Sequence, residues 1–235
     1  MCIRDRSVGT GFNAASGSTV SISGGQFSLN GSTINDITSP FTLGDGDVFT
    51  GTLEDGSSFI FSTLNTDSLN GVNLIETSTP IVSTTPQTID TASALRSARA
   101  GETLTVQLGG ALGDNFAAVG ATLNVESGTV GSNAEVANSE VNVSGGTIGS
   151  NFNAFSGSTI NVSGGQIGNN FEANNGSTVN ISGGAVGSTF DANSGSTVNI
   201  SGGTVGSNFD ANSGCLLYTS PSPRDATLSR MPSSA

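Results

Sequence analysis

The sequence predicts an all-β protein: a parallel β-helix, or β-solenoid, with coils of about 19 residues, interrupted by a β-rich insertion. Three observations predict it. A block close to GSTVNISGGAVGSTFDANS recurs through the second half of the chain, holding Gly149, Gly168, Gly187 and Gly206, and Phe152, Phe171, Phe190 and Phe209, at one spacing. That period is shorter than any helical repeat unit and belongs to stacked β-structure. Inside the block Val179 and Ile181 alternate with Thr178, Asn180 and Ser182, the period of two of a strand with one buried face. Gly183-Gly184 and Asn193-Ser194-Gly195 then supply the corners at which the chain turns.

Taken in order, residues 7–30 read as the end of a first solenoid, because GFNAASGSTVSISGGQF at 11–27 fits the repeat. Residues 31–76 read as a hairpin-rich cap or insertion closing it. Apolar and polar residues alternate over 41–61, Asp55-Gly56 is a hairpin signal, and 64–75 extends the pattern. Residues 77–91, rich in Thr and Pro, read as a linker. Residues 92–214 read as a second solenoid, with 95–109 opening it and covering its strand edge. Six coils follow Leu104, anchored by Gly113, Gly131, Gly149, Gly168, Gly187 and Gly206. The first two intervals are 18 residues and the rest 19, and Ala134 stands where the other coils have Phe. One coil alone buries too little apolar surface to offset the ordering of its backbone, so at least about three must stack. Disorder is the competing reading of a chain this rich in Gly, Ser and Asn, but disordered segments do not hold Val, Ile and Phe at fixed offsets.

The two ends read differently. Residues 1–6, MCIRDR, and 215–225, CLLYTSPSPRD, resemble translations of transposase-type sequencing adapters. After Asp225 a short sample index would encode Ala226, Thr227 and part of Leu228, and the adapter's continuation completes Leu228 and spells Ser229 to Ala235. The resemblance implies that 1–6 and 215–235 are adapter-derived and that 7–214 is the natural segment of a longer, metagenomic reading frame. That segment has no Cys, His, Lys, Trp, Met or Tyr. Its bases are Arg96 and Arg99, and its net charge is 2 − 16 = −14. Such acidity argues against nucleic acid and anionic membrane surfaces as partners, and no stretch approaches the roughly 20 apolar residues of a membrane span. Nucleophilic catalysis by Cys or by a Ser–His pair is excluded by composition. The segment is therefore expected not to be an enzyme.

Two repeated rows remain as candidate sites. Thr178, Asn180 and Ser182, with Thr197, Asn199 and Ser201 one coil later, face away from the apolar side of the strand. They form either a solvated surface stabilised by amide ladders or a flat array for a sugar, mineral or ice ligand. A second row runs through Glu135, Asn153, Glu172, Asp191 and Asp210. Glu172, Asp191 and Asp210 are either screened surface carboxylates or hard-oxygen ligands of bridging Ca²⁺. GGAVGSTFD resembles a calcium-binding glycine-rich nonapeptide with its third glycine and its acid displaced. Stacking alone would bring ladder acids near the spacing of a retaining glycosidase pair, about 5–5.5 Å, so proximity is no evidence of catalysis here. Gly44-Asp45-Gly46-Asp47 reads as a turn.

The coils at 104–214 and 11–30 resemble those of large bacterial surface and secreted β-helix proteins, adhesin-like and pectin-lyase-like in fold. The resemblance implies an extracellular or cell-surface structural or adhesive protein. Its partners would be glycans or other surface proteins, and its only cofactor Ca²⁺, if any. It leaves open an accessory part of a carbohydrate-active lyase or hydrolase, and an ice- or mineral-binding array.

Overall fold

The computed structural model describes residues 2–3, 20–40, 42–63, 71–77, 85–213 and 215–219. From Gln87 onward the chain winds through about seven stacked coils, whose three faces are parallel sheets of eight, seven and seven strands. Coils 1 to 7 start at Gln87, Thr103, Thr122, Glu140, Thr159, Thr178 and Thr197. Coil 6 shows the plan. Thr178–Ile181 lies on the first face, Ala185–Val186 on the second and Phe190–Ala192 on the third. Its residues pair in register with those of coil 7, Asn180 with Asn199 and Asp191 with Asp210.

The period of two decides what is buried. Val179, Ile181, Phe190 and Ala192 point inward at 1 % exposure or less, while Thr178, Asn180 and Asp191 are only half-buried. Phe152, Phe171, Phe190 and Phe209 form a column with ring centroids 5.2, 4.7 and 5.0 Å apart. Each fully buried Val, Ile or Phe contributes about 1.5–3 kcal/mol. The corner between the first two faces requires its glycines. Gly184 has φ +73°, and a Cβ on Gly183 would sit 2.4 Å from the Ser163 carbonyl oxygen.

The stack starts earlier than composition suggests. Gln87–Ile89 pairs with Leu104–Val106, so the first rung lies inside the Thr/Pro-rich segment expected to be a linker. Threonine favours strands as well as linkers, which makes composition ambiguous there; residues 78–84 lie outside the described residues. Counting from Gln87 gives seven coils rather than six beyond an opening segment. At the other end the backbone of Leu216–Thr219 pairs with Thr197–Ile200.

The N-terminal region departs further from expectation. Val20–Leu29 is one ten-residue strand running straight through Gly24-Gly25, where the repeat predicts a corner. Gly24 and Gly25 pair antiparallel with Leu53 and Thr52, so a hairpin strand occupies the space a corner would need. A trace of coil-like stacking persists, because Val20–Gly24 also pairs in parallel with Val72–Glu76, and Ser21–Ile22 with Cys2–Ile3. The remaining residues of the expected first-solenoid coil, 7–19, lie outside the described residues.

The hairpin itself matches its Asp55-Gly56 signal: Val48–Leu53 and Ser58–Ser62 pair antiparallel, with Gly56 at φ +87° in the turn. It is apolar on both sides. Phe49, Phe59 and Phe61 pack with Phe27, Ile22 and Leu53 on one side. Val48 and Ile60 pack on the other against Ala117, Ala137 and Phe155, which project outward from the third face of the stack. Ser58 anchors the contact: its backbone N–H donates to Ser97 Oγ at 2.9 Å and its hydroxyl to the Ala98 carbonyl at 3.1 Å. The hairpin therefore lies along the flank of the second stack.

Candidate functional site

The first face is regular enough to be a display surface, but most of its polar groups are bonded to one another. Asn142, Asn161, Asn180 and Asn199 each donate Nδ2–H to the Oδ1 of the asparagine one coil earlier, at 3.0, 2.9, 2.8 and 2.7 Å. Ser182 and Ser201 turn their hydroxyls back onto the Val162 and Ile181 carbonyls, both at 3.3 Å. Of the six residues expected to present a ligand face, Thr178 and Thr197 have hydroxyls with no hydrogen bond among the described residues. Asn161 also donates to Glu140 Oε1 at 3.5 Å, but the other ladder amides keep an N–H and a lone pair free, so the face retains a thinned hydrogen-bonding capacity at coil spacing, about 4.8 Å.

Two further asparagine ladders escape a reading based on strand alternation. Asn133, Asn151 and Asn170 donate in turn to Asn115, Asn133 and Asn151, at 3.3, 2.9 and 2.9 Å. All four are left-handed turn residues with φ between 56° and 59°, a conformation asparagine tolerates best among residues with a side chain. Thr189 interrupts this ladder at φ 61°. The sequence signal is the G-x-N triplet after the second-face strands, with G-S-T at 187–189. The third ladder, Asn212 to Asn193 to Asn174 at 2.9 and 3.0 Å, runs along the outer edge of the third face.

The acid row is aligned as the period predicts. Glu135 pairs with Asn153, Asn153 with Glu172, Glu172 with Asp191 and Asp191 with Asp210. Burial pushes the Glu172 carboxyl above its ordinary value of 4.5, and the Asp191 charge pushes it the same way. Among the described residues no three His, Cys, Asp or Glu side chains converge as a metal site. Glu172, Asp191 and Asp210 are thus strung along the face, one per coil. Gly44-Asp45-Gly46-Asp47 is a turn, in which Asp47 accepts from the Gly44 N–H at 2.7 Å and from Asn30 Nδ2 at 2.7 Å.

No helix among the described residues is long and apolar enough to cross a membrane. Comparison with known proteins finds no matching family model, no similar curated protein and no similar solved structure.

Proposed function

We propose that this chain is a non-catalytic segment of a secreted or cell-surface β-solenoid protein of bacterial, adhesin-like type. It serves as a stiff stalk or display surface that adheres to glycans or to other surface proteins. One observation carries the reading: the repeated polar groups are committed to neighbouring coils, and the acids of the repeated third-face row are spread one per coil instead of converging. Catalysis needs a unique constellation, whereas a stalk needs every coil to hold the next. The free threonine hydroxyls and half-used amides of the first face supply weak contacts, and repetition turns weak contacts into avidity. Calcium is the proposed cofactor of the acid row at Glu172, Asp191 and Asp210. A higher melting temperature with Ca²⁺, reversed by chelator, supports it; an unchanged midpoint removes it. On their resemblance to adapters, residues 1–6 and 215–235 are assigned as foreign to the natural protein, which sequencing of the source DNA across both junctions tests.

The test of function is a panel of neutral and acidic polysaccharides offered to the chain immobilised at high density. The expected result is retention that weakens in Thr178→Val/Thr197→Val, with no change in polysaccharide length. Chain cleavage by the purified protein would replace this reading with the carbohydrate-active one. Retarded ice or mineral growth without glycan retention would replace it with a crystal-binding array.

A further inference from the structure

A cavity of about 660 Å³ opens at the leading end of the stack, between the hairpin turn at Asp55–Ser57 and the first two coils. Its size is that of a small-molecule site, about 300–1,000 Å³. Arg96 and Arg99 both line it, and they are the only cationic side chains among the described residues of a chain with net charge −12.

The hydrogen-bond inventory of its walls is one-sided. Glu102, 6 % exposed, is saturated by a single neighbour. It accepts from the Arg99 backbone N–H at 2.9 Å, from Arg99 Nε at 3.2 Å and from Arg99 Nη2 at 3.0 Å. Asp55 accepts from the Ser57 backbone N–H at 2.8 Å and from the Ser57 hydroxyl. The carboxylates of the cavity are thus in use. The cations keep spare capacity: Arg99 is paired with Glu102 through Nε and Nη2 but its Nη1 is buried without an acceptor, and the Arg96 side chain, exposed at the rim, has no hydrogen bond or ion pair among the described residues. A buried N–H left unpaired is destabilising, and the free guanidinium fork of Arg96 matches a carboxylate through two parallel bonds. Leu95 and Leu104 add apolar wall, and Ser97 and Gln87 add groups suited to hydroxyls.

We propose that this cavity binds a small hydroxylated organic acid, with its carboxylate toward Arg96 and Arg99 and its body between the first coil and the hairpin turn. The site is independent of the display reading, because it lies at the end of the stack and uses none of the first-face rows. The test is calorimetric titration of the full chain with D-glucuronate, with D-glucose as the neutral counterpart and with inorganic sulfate, at fixed ionic strength. Arg96→Gln is the informative variant, since the Arg96 side chain makes no hydrogen bond or ion pair among the described residues and its backbone bond to Ala117 is kept, and an unchanged melting temperature will confirm that it folds. The expected result is saturable glucuronate binding that weakens at least tenfold in Arg96→Gln, with glucose and sulfate each at least tenfold weaker than glucuronate. Equal binding of glucose, sulfate matching glucuronate, an Arg96→Gln variant that binds like the parent, or no glucuronate binding would each overturn the proposal.

Discussion

Coils 2–4 and coils 5–7 share an interior and differ along one outer row. Three positions after the inward phenylalanine or alanine of the third face, the early coils carry Val119, Ala137 and Phe155, and the late ones Asn174, Asn193 and Asn212. The apolar residues lie where the hairpin packs, with Phe155 fully buried beneath it. Beyond the hairpin the same row is bare and becomes an asparagine ladder. The junction is visible in one atom. Asn174 Nδ2 is buried without an acceptor, because the position one coil earlier that would provide it is Phe155. Divergence between coils is therefore a record of what each coil touches, and the unvaried part is what stacking alone demands.

The shared interior is the place to break both halves at once. Phe190→Ala empties the middle of the ring column and should destabilise the stack by about 3–5 kcal/mol, read as a lower urea midpoint. A mere local softening, with the midpoint unchanged, would mean that the coils unfold independently. Next in size is the first-face ladder, which covered and bare coils have in common. Asn180→Ala removes two amide hydrogen bonds, of 2.8 and 2.7 Å, and should cost about 1–3 kcal/mol. Thr189→Asn sharpens the account in the opposite direction. It replaces a β-branched residue at φ 61° with one that tolerates the left-handed region and places an amide between Asn170 and Asn208. A stabilisation of about 1 kcal/mol is expected.

The smallest effect concerns the bare acid row. Because burial and Asp191 raise the Glu172 pKa in the folded state, the native protein binds that proton more tightly than the unfolded chain does. The resulting stabilisation is present at low pH and is lost as pH rises from 4.5 through the raised folded value. Glu172→Gln should flatten that slope and leave the protein slightly more stable at neutral pH. A slope that persists in the variant would place the titration elsewhere.

Much of this was legible in the chain. Val179, Ile181 and Phe190 betray the coil because a repeated pattern averages out local ambiguity, and Asp55-Gly56 betrays the hairpin. Phe155 was the unread clue: a phenylalanine outside the column, in place of the repeat's asparagine, is what a covered outer face looks like in sequence. Two other features were hidden for physical reasons. Gln87–Ile89 has strand residues in linker-like company, and only its pairing with Leu104–Val106 makes it a rung. The Ser-Gly-Gly at 23–25 is the same tripeptide as at 182–184, yet one continues as strand into a register shift between Gly25 and Ser28 and the other turns. Glycine permits both conformations, and the pairing of Gly24 and Gly25 with the hairpin selects between them. Thr178 and Asn180 stand in register with Thr197 and Asn199 as the period implies, but the bonds that bind each row to the next coil depend on side-chain geometry that periodicity does not carry.

The central claim is that the outer row of coils 2–4 exists to hold the hairpin. Hydrogen exchange of Phe155→Asn, compared residue by residue with the parent chain, tests it most directly. The substitution gives Asn174 its missing acceptor and removes the largest side chain under the hairpin. Amides of Val48–Leu53 and Ser58–Ser62 should exchange at least tenfold faster, while third-face amides of coils 5–7 keep their protection or gain it. Unchanged hairpin protection, or an equal loss throughout the stack, would contradict the claim.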